Sequence, residues 1–236
     1  MKKLVFLCLA LLVVPTSAAF ANNQGLDLTW DNCSVADPTE APFAPNKSFV
    51  CTGTLTRTYR LHATYVSNLA ISDFFAMDIS IDLQSEPPGS PLPAFYQYEV
   101  GGCAAAAISF SVDKTTTGPL GDGAACGLIG TEWGDLGQDA GFANFVSIAP
   151  EFSGAGRRLN ASIARASTSP IPLAANTPYY GFHLRFTQSN TTRTNCAGCA
   201  TPAVMVWNKA VLYGVSGTAH EILIGNTGKE IGRAHV

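Results

Sequence analysis

Apolar and polar side chains alternate along much of this chain, most clearly between residues 177 and 215. In the first half of that stretch one parity is apolar or aromatic (Tyr180, Phe182, Leu184 and Phe186), and the other holds Tyr179, His183, Arg185 and Thr187. An alternation of period two predicts a β-strand with one buried face. Residues 203–213 are apolar at both parities, which is typical of a central strand covered on both sides. We predict two long strands that form a central hairpin.

Shorter alternating runs occur at 26–30, 49–66, 77–83, 95–100, 108–112, 142–148, 159–163 and 220–224. Segments rich in Gly, Pro, Asn and Asp separate them, and no run keeps a period of 3.6. About nine or ten short strands with turn signals between them favour a sandwich of two sheets. The fold class predicted is all-β, an antiparallel β-sandwich of the immunoglobulin-like or jelly-roll-like kind.

The two ends of the chain carry signals of their own. Lys2 and Lys3 precede an apolar run over 4–14, and small residues around 19–21 form a cleavage site, so 1–21 is predicted to be a bacterial signal peptide. The apolar run is shorter than the roughly 20 residues that a membrane span needs. Residues 230–236 resemble a translated sequencing adapter and are predicted to be a non-native tail. This leaves 22–229 as a single domain, secreted or held at the cell surface.

Six cysteines remain after the leader is set aside: Cys33, Cys51, Cys103, Cys126, Cys196 and Cys199. An even number in an exported chain predicts disulfides, although sequence leaves the connectivity open. Nearest-neighbour pairing is the working hypothesis, giving Cys33–Cys51, Cys103–Cys126 and Cys196–Cys199. The Cys-Ala-Gly-Cys motif fits a disulfide over a glycine turn better than it fits a zinc site or a redox helix, because no second pair or helix accompanies it.

The charge of the chain limits its partners. The formal net charge is −3, only 13% of residues are charged, and there is no basic cluster. This argues against nucleic acid and against anionic membrane surfaces. No stretch after the leader is apolar enough to span a membrane, and the oligomeric state stays open.

Catalytic motifs are sparse. Neither Ser153 nor Ser216 completes a Gly-x-Ser-x-Gly motif. The acidic loop Glu132, Asp135 and Asp139 is a candidate Ca²⁺ site or the acid pair of a hydrolase, although its spacing is irregular and a solvated loop is the simpler interpretation. No other metal and no cofactor is predicted.

The outer face of the predicted hairpin is the candidate ligand site. Tyr179, His183 and Arg185 would project outward, and an antiparallel neighbour would place Trp207 beside them. Tyr and Trp rings with adjacent hydrogen-bonding groups suit a sugar ring or a protein partner. The alternative is that Trp207 belongs to the core, because its strand is apolar at both parities.

Three segments carry a resemblance: GLDLTWDNC at 25–33, IDLQ at 81–84 with LPAFYQY at 92–98, and CAGCATP at 196–202 followed by VWN at 206–208. Together they resemble uncharacterised exported proteins of environmental bacteria. The strand pattern is also remotely similar to cohesin-like and carbohydrate-binding sandwiches. The resemblance implies a fold and supplies no catalytic residue.

The function predicted from sequence is a secreted or cell-surface binding module without catalytic activity, which takes a glycan or a surface protein. A structural subunit of a surface assembly is the first alternative. An extracellular hydrolase that uses the acidic loop is the second.

Overall fold

The computed structural model of the chain describes residues 25–31, 33, 46–51, 56–86, 89–105, 107–112, 126, 130–131, 139–148, 156–188, 196–223 and 233–235. The predicted signal peptide lies outside these residues. Within them, no helix combines the length and the hydropathy of a membrane span.

Strands dominate the described chain, with a single short 3₁₀ turn at Ala94–Tyr96. The strands are β1 (Gly25–Trp30), β2 (Arg57–Val66), β3 (Ile71–Ser85), β4 (Ile108–Ser111), β5 (Gly130–Thr131), β6 (Asp139–Ile148), β7 (Gly156–Arg165), β8 (Ile171–Leu173), β9 (Pro178–Gln188), β10 (Ala203–Gly214), β11 (Ala219–Leu223) and β12 (Arg233–His235).

These strands form two sheets. The small sheet has the order β1-β2-β9-β4, with β5 also paired to β9, and the large sheet has the order β11-β10-β3-β7-β6, with β12 on β10 and β8 on β3. Only the β5–β9 pair is parallel among the strand pairs of the described residues. The all-β antiparallel prediction is confirmed.

The core lies between the two sheets. Along β3 the side chains of Met77, Ile79, Ile81 and Leu83 are buried, as their alternation with polar residues predicts. The Phe182 ring of the small sheet meets the Trp207 ring of the large sheet edge to face, with ring centroids 5.0 Å apart. Such contacts between two inner faces define a β-sandwich.

The disulfides join distant parts of the chain. They are Cys33–Cys126, Cys51–Cys199 and Cys103–Cys196, with Cα–Cα distances of 5.3, 5.6 and 5.7 Å. All six cysteines are paired, as predicted, but the nearest-neighbour connectivity (Cys33–Cys51, Cys103–Cys126, Cys196–Cys199) is wrong. The partners are 93, 148 and 93 residues apart, because the sandwich brings loops from different strands to the same end.

The strand predicted at 95–100 is also wrong. Phe95 and Tyr96 lie in the 3₁₀ turn and are buried, whereas Val100 is 96% exposed. The Tyr96 hydroxyl donates a hydrogen bond of 2.9 Å to the carbonyl of Thr201, and the Phe95 amide donates one of 3.0 Å to Ala197. This segment is therefore anchored to the loop before β10 and not to a strand.

Part of the C-terminal tail pairs with the large sheet. β12 pairs antiparallel with Val204, Met205 and Val206 of β10, beyond the end of the β10–β11 pairing. A tail foreign to the domain would not be expected to pack against it, but Arg233–His235 does. That residues 230–236 are non-native stays a prediction.

Candidate functional site

The two strands of the predicted central hairpin lie in opposite sheets. β9 pairs with β2 and β4 in the small sheet, whereas β10 pairs with β3 and β11 in the large sheet. Trp207 points into the core, where its ring meets that of Phe182. His183 and Arg185 lie on the outer face of the small sheet, whereas Tyr179 stacks on the buried Tyr65 of β2. His183 and Trp207 are completely buried, and Tyr179 and Arg185 are half-buried. The four residues do not form one surface, and the prediction of such a surface is wrong.

A β-bulge in β9 explains part of this error. Ala63 pairs with Phe182, but the next residue, Thr64, pairs with Tyr180, which leaves Gly181 as an extra residue. A bulge of this kind reverses the face on which the following side chains lie. Tyr180 therefore lies on the same face as His183, although strict alternation placed it with Phe182.

The outer face of the small sheet carries a buried polar cluster, formed by Asp27, Thr29, His62, Thr64, Tyr180 and His183. His62 and His183 are paired across the β2–β9 ladder, with ring centroids 5.8 Å apart. A hydrogen bond of 2.6 Å joins the Tyr180 hydroxyl to Nδ1 of His183. Thr29 Oγ1 donates to Asp27 Oδ2 over 3.1 Å. Buried polar groups need hydrogen-bond partners, so six such side chains together on an outer face mark this cluster as a candidate functional site.

Burial shifts the pKa of two members of this cluster in opposite senses. Desolvation raises the pKa of Asp27 to about 6, against weaker lowering by hydrogen bonds from Thr29 and the Leu28 backbone. The pKa of His62 is lowered to about 3, mainly by desolvation and also by the neighbouring His183 and Arg60. Both groups favour their neutral forms because the site is closed to water.

The Cys33–Cys126 disulfide lies against the same cluster. Sγ of Cys126 is 3.7 Å from Nδ1 of His62, and one ligand atom from each of Cys33, His62 and Cys126 lies within 4.8 Å of the others. Cys126 and His62 are 64 residues apart in the chain. Sequence reasoning missed this group because metal motifs are recognised by short spacings, and no short spacing joins these residues.

The outer face of the large sheet carries polar side chains, some exposed, such as Asn160 and Ser162, and others half-buried, such as Asp78. Asp78 of β3 accepts hydrogen bonds from Ser162 of β7 over 2.6 Å and from the Tyr213 hydroxyl of β10 over 2.9 Å. Ser80 donates to Asn160 over 3.1 Å in the neighbouring register position. Each bond crosses between strands, so the side chains of this surface are held in fixed positions.

Ion pairs extend the same surface. Arg158 binds Asp82 through two parallel hydrogen bonds of 2.7 and 2.9 Å, and Lys209 lies 3.3 Å from the Glu221 carboxylate. We call this surface the polar face; it comprises Asp78, Ser80, Asp82, Arg158, Asn160, Ser162, Lys209, Tyr213 and Glu221. The cross-strand partners account for both carboxylates of β3: Asp78 is half-buried, and Asp82 is buried against Arg158.

The remaining sequence candidates fall outside the description. Glu132 and Asp135 are not among the described residues, and Asp139 begins β6, whose side chains are not described. The Ca²⁺ and hydrolase predictions for this loop therefore stay predictions.

No protein-family model and no curated protein sequence matches the chain. Among solved structures it is similar to a type II cohesin domain from the cellulosome of Acetivibrio cellulolyticus, with a TM-score of 0.35 and 9% identity, covering 89% of this chain and 94% of that chain. It is also similar to the second type II cohesin module of the adaptor ScaA scaffoldin of that organism, with a TM-score of 0.28 and 13% identity, covering 83% and 82% of the two chains.

A third similarity is to a chain in a type II cohesin–X-dockerin complex of the same organism, with a TM-score of 0.28 and 14% identity, covering 74% of this chain and 87% of that chain. These matches confirm the remote similarity to cohesin domains that the strand pattern indicates. At such TM-scores they carry no argument about what this chain binds. The resemblance to exported environmental proteins stays a prediction.

Proposed function

We propose that the chain is an exported, non-catalytic module whose polar face binds a folded protein partner. The observation that carries the proposal is the cross-strand network on this face, which fixes Tyr213 and Arg158 among small side chains such as Ser80 and Ser162. Tyr and Arg are the residue types that contribute most to protein interfaces. Side chains that are ordered before binding lose little conformational entropy on binding.

The size and shape of the polar face favour a protein over a small ligand. Four strands about 4.8 Å apart, paired over some nine residues of about 3.3 Å each, give a surface on the order of 600 Å². A standard protein interface takes about 800 Å² from each partner. Its side chains stand side by side on one pleated sheet, an arrangement that suits contact with another folded surface.

A protein partner is also favoured over a glycan. Among the side chains whose burial the structure describes, the aromatic rings are buried or half-buried, and the exposed large apolar ones are Val50, Leu69, Val100 and Val215. Recognition of sugar rings depends on aromatic side chains that can stack on them. The polar face instead offers paired charges and hydroxyl groups.

A matched pair of substitutions tests the proposal. Ser162 and Ser169 are both exposed, but Ser162 lies on the polar face and Ser169 lies in the turn between β7 and β8. Binders are selected on the wild-type chain from a phage-displayed library of exported bacterial domains and then measured against Ser162→Arg and Ser169→Arg. We expect Ser162→Arg to weaken binding by at least about tenfold, equivalent to about 1.4 kcal/mol, and Ser169→Arg to leave it unchanged.

Two results would overturn the proposal. Selected partners that bind Ser162→Arg as tightly as the wild type would place the interface elsewhere. Binding on a glycan array, unaffected by either substitution, would replace the protein partner with a sugar.

The second candidate function is that of a structural subunit in a larger assembly, and the pairing of strand β6 supports it. This strand of ten residues pairs with β7 on one side, and no other described strand pairs with it. An open edge of that length is a template for strand addition by another chain. Analytical ultracentrifugation separates the two candidates: a binding module stays monomeric on concentration, whereas a subunit that assembles through β6 forms oligomers.

A further inference from the structure

The cluster Cys33, Cys126 and His62 holds two sulfur atoms and one imidazole nitrogen in a fully buried group. The three residues are 0%, 0% and 1% exposed. They come from three separate parts of the chain: the segment after β1, the strand β2, and the segment that includes Cys126. Two thiolates and one imidazole form a donor set that thiophilic ions such as Cu⁺ and Zn²⁺ prefer.

One pair of donor atoms, Sγ of Cys126 and Nδ1 of His62, already has the separation that such an ion requires. Metal–sulfur bonds of about 2.3 Å and metal–nitrogen bonds of about 2.0 Å place the sulfur and nitrogen ligands of a trigonal or tetrahedral ion about 3.5–3.7 Å apart. Sγ of Cys126 and Nδ1 of His62 are 3.7 Å apart. The two sulfurs, which are bonded to each other here, would have to separate to about 3.8–4.0 Å. That separation would have to come from rotation of the two cysteine side chains, whose Cα atoms are 5.3 Å apart.

His62 has an arrangement that stability alone does not explain. Its Nε2 is buried and has no hydrogen-bond partner among the described residues. A buried polar atom without a partner destabilises a protein by about 1–3 kcal/mol. Nδ1 is the ring nitrogen that faces Cys126, so an ion held by the two sulfurs would bind His62 through Nδ1, with the imidazole proton on Nε2.

We propose that Cys33, Cys126 and His62 form a redox-dependent site for a thiophilic d¹⁰ cation, Cu⁺ or Zn²⁺. Two thiols of a reductant open the Cys33–Cys126 bond: their two electrons and two protons give two cysteine thiols, and the reductant becomes a disulfide. Binding of the ion then releases both cysteine protons and forms two metal–sulfur bonds and one metal–nitrogen bond. The site accepts the ion only in the reduced chain and is closed by oxidation.

The experiment measures metal-dependent protection of specific thiols. The purified protein is reduced anaerobically with a phosphine, which becomes a phosphine oxide by taking oxygen from water. It is then incubated with Zn²⁺ or with Cu⁺, alkylated, and mapped by mass spectrometry. We expect one ion per chain, with Cys33 and Cys126 protected from alkylation and the other four cysteines modified. The readout does not require the metal-free reduced chain to be folded, because metal binding and folding are coupled.

Three variants control for binding by any pair of thiols. Cys103→Ser/Cys196→Ser removes a disulfide with the same separation of 93 residues as Cys33–Cys126 and should keep the ion. Cys33→Ser/Cys126→Ser should lose it. His62→Gln keeps all six cysteines and should weaken binding at least about tenfold, or about 1.4 kcal/mol.

Each contrary result overturns the proposal. Equal alkylation of all cysteines with both ions would show that no site forms. Full affinity in His62→Gln would show that two thiols hold the ion without the imidazole. Loss of the ion from Cys103→Ser/Cys196→Ser alone would place the site at the other cysteines.

Discussion

At the scale of single residues, Asp27 makes the stability of this protein depend on pH. Burial raises its pKa from 3.8 to about 6, so the folded chain holds this proton to a higher pH than the unfolded chain does. The contribution of Asp27 to the free energy of unfolding is therefore highest below about pH 4, falls as the pH rises to about 6, and stays low above it. His62 has the opposite slope, because its pKa is lowered to about 3 and its contribution is lost on acidification.

The substitution Asp27→Asn isolates the first effect. At pH 7 we expect the free energy of unfolding of Asp27→Asn to be up to about 3 kcal/mol higher than that of the wild type, because about two pKa units separate the folded and unfolded values. The variant is then the more stable protein. Near pH 4 the two proteins should be equally stable. Urea denaturation at several pH values measures the difference. Asp31→Asn, at an exposed carboxylate, is the control and should change stability by less than about 1 kcal/mol. A difference that is constant with pH would contradict the prediction.

Single residues also show where sequence reasoning succeeds. The alternation of Met77 and Ile79 with Asp78 and Ser80 predicted their buried and exposed sides, because each side chain needs only its own strand to set its face. His183 was placed on an outer face correctly but was expected to be exposed. It is buried there because other parts of the chain cover that face, including the Cys33–Cys126 disulfide beside its neighbour His62. No pattern within β9 carries that information.

At the scale of elements, the loop at 196–202 depends on one glycine. Gly198 has a φ of 93°, in the left-handed region, and a Cβ atom built there would collide with the side chain of Pro93. The loop also holds Cys196 and Cys199, which take different partners. The conformation of this loop therefore sets the orientation of both cysteine side chains toward their disulfide partners.

Gly198→Ala is expected to destabilise the protein by about 2–4 kcal/mol, because backbone strain of about 1–2 kcal/mol adds to the collision with Pro93. Gly217→Ala is the matched control: Gly217 has a φ of 86°, but a Cβ atom there would meet nothing within 4 Å. It should show the backbone term alone, about 1–2 kcal/mol. Thermal denaturation of both variants checks this ranking. Equal losses of stability would show that Pro93 moves aside without destabilising the protein.

Elements were predicted better than their connections. Most of the strands that the alternation indicates are present, but the central hairpin was wrong because strand order is a property of the sheet. β9 and β10 follow each other in sequence and pair with different neighbours. The bulge at Gly181 was equally hidden, since only the pairing of Tyr180 with Thr64 reveals it.

At the scale of the whole molecule, the disulfides connect segments that are far apart in sequence. Digestion without reduction should yield three cross-linked peptide pairs: Cys33 with Cys126, Cys51 with Cys199, and Cys103 with Cys196. Thiol titration of the unfolded, unreduced mature chain should find no free cysteine. Cys51→Ser/Cys199→Ser should lower the free energy of unfolding by about 2–5 kcal/mol. Recovery of a Cys196–Cys199 peptide would contradict the connectivity.

The connectivity also sets an order of events during biosynthesis. If the chain is exported from its N-terminus, as the predicted leader implies, Cys33 and Cys51 emerge first, and their correct partners follow 93 and 148 residues later. If oxidation is faster than sheet assembly, these first two cysteines pair with each other and must later be exchanged. The yield of native protein therefore depends on a thiol–disulfide isomerase in the compartment where it folds, and expression in a host that oxidises without isomerising will accumulate the wrong isomer.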